Sequence, residues 1–335
     1  MTTPSNHPPE RIRVGVSACL LGQEVRWNGA HKRDWYLVRT LGRCFEWVPV
    51  CPEVELGLGI PREPIRLEGD PAAPRLVARD SRVDLTLRME TFVARRVEAL
   101  AALDLCGCIL KSESPTCGME RVRVHGPAAG RAPRGVGIFA RALMRRLPLL
   151  PVEEEGRLHD PALRDSFIER VFALRRLRDL LAPRLTAGRL VAFHARHRLQ
   201  LMSHAPEGAR RLGRIVAAAG RGPVRVAGAR YASAFMETLQ VRATLRKHAN
   251  VLQHVLGSIE KDLPPDDRRE ILDAIEAMRN ERLPLAVPVA LLRHHLRRHR
   301  VPDLVDQVYL DAHPRELWRR RHADPDAAPG GGRRA

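Results

Sequence analysis

Three short apolar runs stand out in the first third of the chain, each closed by polar or turn-forming residues. Ile12–Val16 runs into Ser-Ala-Cys19, Phe45–Val50 into Cys51-Pro52-Glu53, and Leu105–Leu110 into Lys-Ser-Glu-Ser-Pro-Thr-Cys117-Gly118. Runs of this length, bounded in this way, predict buried strands. Helical spacing lies between them, at Trp35–Leu41 and Glu90–Leu103. A further helix is predicted over Gly135–Arg146 and a further strand over Leu149–Glu155. Strands alternating with helices predict an α/β domain with a mainly parallel sheet and helices on both faces.

Beyond this the pattern is helical. An amphipathic helix over Arg164–Ala182 leads to a break at Pro183–Gly188. Apolar positions then recur at helical spacing over Val191–Ser203, Glu207–Ala219, Ala232–Ile259, Asp266–Asn280 and Val289–His299. Pro264-Pro265 followed by Asp266 and Asp267 marks a helix start, because acids favour the first turn. The expected organisation is a disordered N-terminus over 1–10, an α/β domain over 11–160 and a connecting helix and linker over 161–188. An all-α helical domain over 189–320 and a disordered tail over 321–335 complete it.

The 335 residues suit two domains. No apolar run is long enough for a membrane helix, and the first ten residues lack the apolar stretch of a signal peptide, so a cytoplasmic location is expected. The net charge of +18 is uneven: residues 166–335 hold 32 Lys+Arg against 18 Asp+Glu, a net of +14. A basic half suggests an anionic partner, and RNA contact through the helical domain is one reading. Compositional drift is the other, since only four of the 57 basic residues are Lys. Aromatic residues make up 4%, which argues against single-strand stacking platforms.

All six cysteines lie in the first 120 residues, a crowding that favours metal or catalysis over disulfides in a reducing compartment. Cys19, Cys51 and Cys117 each follow a predicted strand, and open α/β sheets build sites beyond the carboxyl ends of their strands. Three distant segments can thus deliver three thiols to one crevice. A metal site, a catalytic thiol and structural burial remain open from spacing alone. Cys106 and Cys108 read as small buried residues of the third strand, and Cys44 as structural.

Ser-Ala-Cys-Leu-Leu-Gly (17–22), Val-Arg-Trp-Asn-Gly (25–29), His-Lys-Arg-Asp (31–34), Val-Cys-Pro-Glu-Val (50–54) and Lys-Ser-Glu-Ser-Pro-Thr-Cys-Gly (111–118) together resemble a bacterial family that includes thiouracil desulfidases. The resemblance covers roughly residues 12–155. It implies a 4Fe–4S cluster on Cys19, Cys51 and Cys117, and non-redox removal of sulfur from a small thiolated substrate such as thiouracil. Three thiolates leave one iron able to take a soft substrate sulfur as a Lewis acid. Residues 190–318 resemble a second bacterial family, the YbgA-like domain, through Phe193–His204, Asn250–His254 and Leu283–His295. That resemblance implies a helical fold.

Other residues carry two readings each. Glu53 is either the base that activates water or a carboxylate that caps a turn or pairs with Arg62. Ser114 has a catalytic reading, and Ser112 a substrate-binding one, against local turn bonds for both. Lys111 either binds substrate, balances an anionic cluster or is solvated. Asn28 either binds substrate or forms a turn with Gly29. Asp84 is expected to cap the helix after it. Nine of the fourteen histidines fall between 194 and 313, and without an acidic partner at diagnostic spacing they read as polar-face residues before metal ligands. Two alternatives to the desulfidase stand: an RNA-binding or tRNA thiolation-related protein, and a cluster-based redox sensor.

Overall fold

The computed structural model describes residues 11–126, 133–182, 184–299 and 301–311. The disordered ends expected at 1–10 and 321–335 lie outside the described residues. The chain divides into two compact units, Met1–Phe167 and Ile168–Ala335. The division falls inside a helix, ahead of the Pro183–Gly188 stretch.

The first unit is α/β. Its elements are β1 (Ile12–Ser17), α1 (Trp35–Arg39), β2 (Phe45–Val50), α2 (Pro52–Glu55), β3 (Ile65–Glu68), β4 (Arg75–Ala78), α3 (Thr86–Ala101), β5 (Gly107–Leu110), β6 (Val122–His125), β7 (Arg134–Gly135), α4 (Ile138–Arg146) and β8 (Val152–Glu154). The main sheet has the order β2-β1-β5-β8, with every pair parallel. β5 is buried along its length and β1 everywhere but Arg13, as inner strands of a covered parallel sheet must largely be. β2 lies at the edge, where Pro49 removes no needed ladder bond. From β1 the chain moves first to one side and then, with β5, to the other. The carboxyl ends of β1 and β5 therefore flank a topological switch point, the place where such sheets open a crevice.

A second sheet, β4-β3-β6-β7, was not visible in the apolar pattern. Its strands are two to four residues long and interleave arginines, as in Ile65-Arg66-Leu67-Glu68. Helix α3 starts earlier than its periodicity predicts, and its N-cap is Leu85, with no side-chain cap bond. Asp84, expected as the cap, instead accepts from Thr86 N–H at 2.9 Å in a turn just before the helix. Arg134 and Gly135 pair as β7 with β6 and do not begin α4.

Helix α5 (Pro161–Leu181) leads into the second unit, whose described elements are all helices: α6 (Ala187–His204), α7 (Pro206–Ala218), α8 (Val224–Gln240), α9 (Leu245–Gly257), α10 (Pro265–Arg279), α11 (Ala286–Arg298) and α12 (Pro302–Val305). Leu199, Leu252, Val255, Ile271, Met278, Leu292 and Leu296 form its core. Pro206 and Pro265 open their helices at the first turn, where a missing N–H costs nothing. The single helix predicted over Ala232–Ile259 is two. The chain breaks at Val241, whose carbonyl is taken by His204 Nδ1 at 2.7 Å, and restarts where Thr244 Oγ1 accepts from Lys247 N–H. Among the described residues no helix is long and apolar enough to cross a membrane.

Candidate active site

A cavity of about 480 Å³ opens at the carboxyl ends of β2, β1 and β5, and Cys19, Cys51 and Cys117 all line it. None of the three is in a disulfide. Each thiol is held by its own local device.

Cys19 lies in a 3-10 turn, Ala18–Leu21, that begins as β1 ends. Gly22 closes the turn at φ +93, a conformation that favours glycine. The Cys19 carbonyl accepts from Gly22 N–H and Lys32 N–H, at 3.2 and 2.9 Å. Cys51 is the residue before α2. Pro52 occupies the first helical position, and Glu55 Oε1 reaches back to the Cys51 N–H at 2.9 Å. Arg96 in turn holds Glu55 at 2.6 Å.

The Cys117 loop is braced from two sides. Ser114 Oγ accepts from the N–H groups of Thr116 and Cys117, at 3.3 and 3.1 Å. The first turn of α4 supplies the opposite brace: the N–H groups of Gly137, Ile138 and Ala140 donate to the carbonyls of Gly118, Pro115 and Thr116. Helix N-termini leave such donors unpaired, and here the loop uses them. The approach is so close that a Cβ on Gly137 would lie 2.4 Å from the Thr116 carbonyl oxygen.

One carboxylate is common to the three thiols. Glu53, 8% exposed, follows Cys51 by two residues and faces the cavity. Its Oε2 accepts from Cys51 Sγ at 3.5 Å and its Oε1 from Thr116 Oγ1 at 2.6 Å. Thr116 Oγ1 also lies 3.7 Å from Cys117 Sγ, and Ser114 Oγ lies 3.1 Å from Thr116 Oγ1. With Thr116 donating to Glu53, the Ser114 hydroxyl donates to Thr116, so a three-member relay ends on the carboxylate. Burial first, and the Glu53 charge second, push the Cys19 thiol up to about 11 and Cys51 to about 12, and hold Cys117 well above the ordinary thiol range. Ser17 and Thr116 hydroxyls oppose the shift at Cys117.

Several sequence expectations resolve here. Lys111 and Ser112 line the cavity. Ser114 also lines it, with its hydroxyl held by the loop N–H groups and by Thr116. Asn28 does not belong to the lining. Its Oδ1 accepts from Ala30 N–H in a turn, and its neighbours Arg26 and Trp27 take the wall instead. Arg62 donates to the carbonyls of Val25 and Gly59, which fixes the same segment. Cys106 and Cys108 are buried outside the cavity, with Cys108 Sγ filling the space a Cβ on Gly15 would contact.

Three residues were missed. Ser17 joins the β1 end to the β5 loop by accepting from Lys111 N–H at 2.9 Å. Thr116 orients Glu53. Glu155, one residue past β8, binds Lys111 and Ser112. The signal for the last was three consecutive glutamates, 153–155, at the end of an apolar strand, where solvated charge is out of place.

The donor set fits an iron–sulfur cluster. Thiolate is the ligand such clusters take, and all three thiols are free and share one cavity beside the small residues Ser17 and Ala18. Buried thiols beside a carboxylate resist ionisation alone, and a cationic iron core supplies the missing counter-charge. Among the described residues, no group of three or more His, Cys, Asp or Glu is placed to hold a single metal ion. A cluster makes a different demand, since it spreads its ligand sulfurs over separate irons. Three histidines of the helical unit are engaged elsewhere: His194 with Tyr231 Oη, His197 with the Phe193 carbonyl, His248 with Tyr309 Oη.

Fold and site thus define an α/β protein with a cysteine-lined cavity at its switch point, joined to a helical unit. Residues 14–155 match the family model for 2-thiouracil desulfurase, and residues 198–314 that of a protein of unknown function, DUF1722. The chain belongs to the 2-thiouracil desulfurase family through its first half and carries the DUF1722 domain in its second. It is 30% identical over 133 residues to the uncharacterized protein YbbK of Bacillus subtilis, covering 38% of this chain and 87% of that one. It is 29% identical over 154 residues to the uncharacterized protein YbgA of Escherichia coli, covering 46% of this chain and 91% of that one. A solved structure of the 4Fe–4S-dependent thiouracil desulfidase TudS is 31% identical and covers 47% of this chain and 99% of that one, with a TM-score of 0.37.

Proposed function

We propose that the chain hydrolyses a carbon–sulfur bond in a small thiolated molecule, such as thiouracil or a related thionucleobase, with a 4Fe–4S cluster held by Cys19, Cys51 and Cys117. The observation that carries this reading is the gathering of three strand-end thiols around the Glu53 carboxylate in one cavity. When bound, such a cluster keeps one iron without a cysteine ligand, and that iron supplies a Lewis-acid position for a soft sulfur.

The chain's own residues do the rest. Val25, Trp27 and Ile65 give the cavity apolar walls suited to a planar ring. Glu53 accepts a proton from water and so prepares it to attack the carbon that bears sulfur. Thr116 holds Oε1 of that carboxylate, which fixes its plane. Lys111 contributes charge and no spare hydrogen bond, because Glu155 Oε1, Ser112 Oγ and the Ser112 carbonyl take its three N–H groups. In the balance, carbon exchanges sulfur for the oxygen of water, both water protons leave with the sulfide, and no electrons are transferred.

The test is turnover. Anaerobically reconstituted protein incubated with 2-thiouracil should yield uracil and sulfide in equal amounts, without an added reductant or oxidant. Fully cluster-loaded protein that leaves a panel of thiolated bases and nucleosides intact would rule the reading out.

A further inference from the structure

The carboxylate at the end of β8 makes a closed set of bonds with the loop that follows β5. Glu155 Oε1 accepts from Lys111 Nζ at 2.5 Å and from Ser112 Oγ at 2.7 Å, and Oε2 accepts from Ser112 N–H at 2.7 Å. Lys111 Nζ also donates to Ser112 Oγ and to the Ser112 carbonyl, at 2.7 and 3.0 Å. A lysine ammonium has three donors, and all three are used within this set. The side chain is therefore held still, unlike a solvated lysine with its many rotamers. Both partners are mostly shielded, with side chains 22% and 12% exposed.

The pair is oriented. Lys111 and Ser112 line the cysteine cavity and Glu155 does not, so the positive end faces the thiols and the negative end lies behind it. The backbone agrees: Lys111 N–H bonds Ser17 Oγ, two residues before Cys19. Three thiolates around an iron core leave an anionic assembly, and net charge and nearby dipoles set the potential of such a cluster.

We propose that Glu155 is a positioning residue that fixes the Lys111 ammonium as a stationary positive charge on the wall of the cysteine site, set against the anionic cluster assembly. The proposal rests on the reading that Cys19, Cys51 and Cys117 hold a cluster. It adds a dedicated electrostatic element whose two halves act in opposite directions. Adding an electron to the cluster increases its negative charge, so a facing cation eases reduction and the carboxylate behind it opposes reduction.

The experiment is a redox titration with dithionite of the full chain, anaerobically loaded and followed by electron paramagnetic resonance, for wild type, K111M, K111R and E155Q. K111M is expected to shift the midpoint potential negative and K111R to stay nearer wild type than K111M. E155Q keeps an amide oxygen to hold Lys111 and removes only the charge, so it is expected to shift positive. E155A, loaded and titrated alongside, also releases Lys111 and is expected to lie negative of E155Q. Where K111M does not fold, the two Glu155 variants carry the result. An E155A potential equal to that of E155Q in loaded protein would overturn the positioning role, a negative shift or none in E155Q would overturn the opposed charges, and either would leave the cluster standing. Wild-type protein that takes up no cluster would overturn both together.

Discussion

Thr116 Oγ1 donates a 2.6 Å hydrogen bond to Glu53 Oε1, joining the segment after β2 to the Cys117 loop. Thr116 is fully buried and touches both the carboxylate and the sulfur of the next residue. The bond makes the placement of Glu53 depend on the placement of Cys117.

Replacing Glu53 by Gln should leave iron content unchanged and lower desulfidation about 100-fold or more, the usual share of a general base. T116V should leave Glu53 Oε1 unsatisfied and cost about 2 kcal/mol of stability, the worth of a hydrogen bond to a charged group. T116S should restore most of it. Thermal unfolding read beside turnover checks both expectations, and equal behaviour of T116V and T116S would remove the orienting role of the hydroxyl.

Gly137→Ala should disturb the Cys117 loop although residue 137 bears no side chain. The added carbon would meet the Thr116 carbonyl at 2.4 Å, and backbone cannot yield as a flexible side chain does. Overpacking of this kind costs roughly 2–3 kcal/mol. Iron retention after desalting should fall together with stability. Gly188→Ala, where nothing lies within 4 Å of the added carbon, is the control and should match wild type.

The helical unit holds a partly buried ion pair with a definite pH signature. His204 Nε2 meets Glu169 Oε2 at 3.1 Å, His204 Nδ1 donates to the Val241 carbonyl, and Gln200 Nε2 donates to Glu169 Oε1 at 2.8 Å. Burial alone would raise the Glu169 carboxyl, but the His204 charge and its hydrogen bond outweigh burial and bring it well below the ordinary range. Burial would lower His204, and Glu169 reverses that, leaving it raised. The Glu169 contribution is complete above the ordinary carboxylate range and is lost as pH falls through its depressed value. The His204 contribution is complete below the ordinary imidazole value and is lost as pH rises through its elevated one. Unfolding of the helical unit in urea should therefore need most denaturant between these limbs. H204A should cost about 2 kcal/mol by stranding a half-buried carboxylate. A flat profile for wild type would remove the charged pair.

The parts of this molecule that can be read without coordinates are those with one dominant cause. β1, β2 and β5 are apolar runs closed by turn residues, so the strand ends and the three cysteines after them follow from the pattern alone. The short second sheet does not, because strands such as Ile65–Glu68 gain their stability partly from a pairing partner far along the chain, Val122–His125. The break at Val241–Thr244 was hidden because the apolar spacing continues across it and its cause, capture of a carbonyl by His204, is tertiary. Glu53 and the Cys117 loop are visible through their neighbours in sequence. Glu155 and Thr116 act through bonds to distant residues: the Glu155 contacts emerge once β5 and β8 lie side by side, and the Thr116 bond once the Cys117 loop meets the segment after β2.

Iron and acid-labile sulfide per chain, measured after anaerobic reconstitution of wild type and of single cysteine variants, test the central claim most directly. Wild type should carry about four irons with matching sulfide, the content of a 4Fe–4S cluster. C19S, C51S and C117S should each lose it, while C106S and C108S should keep it. Full iron content in any of the first three, or its loss only in the last two, would contradict the assignment of the cavity thiols as cluster ligands.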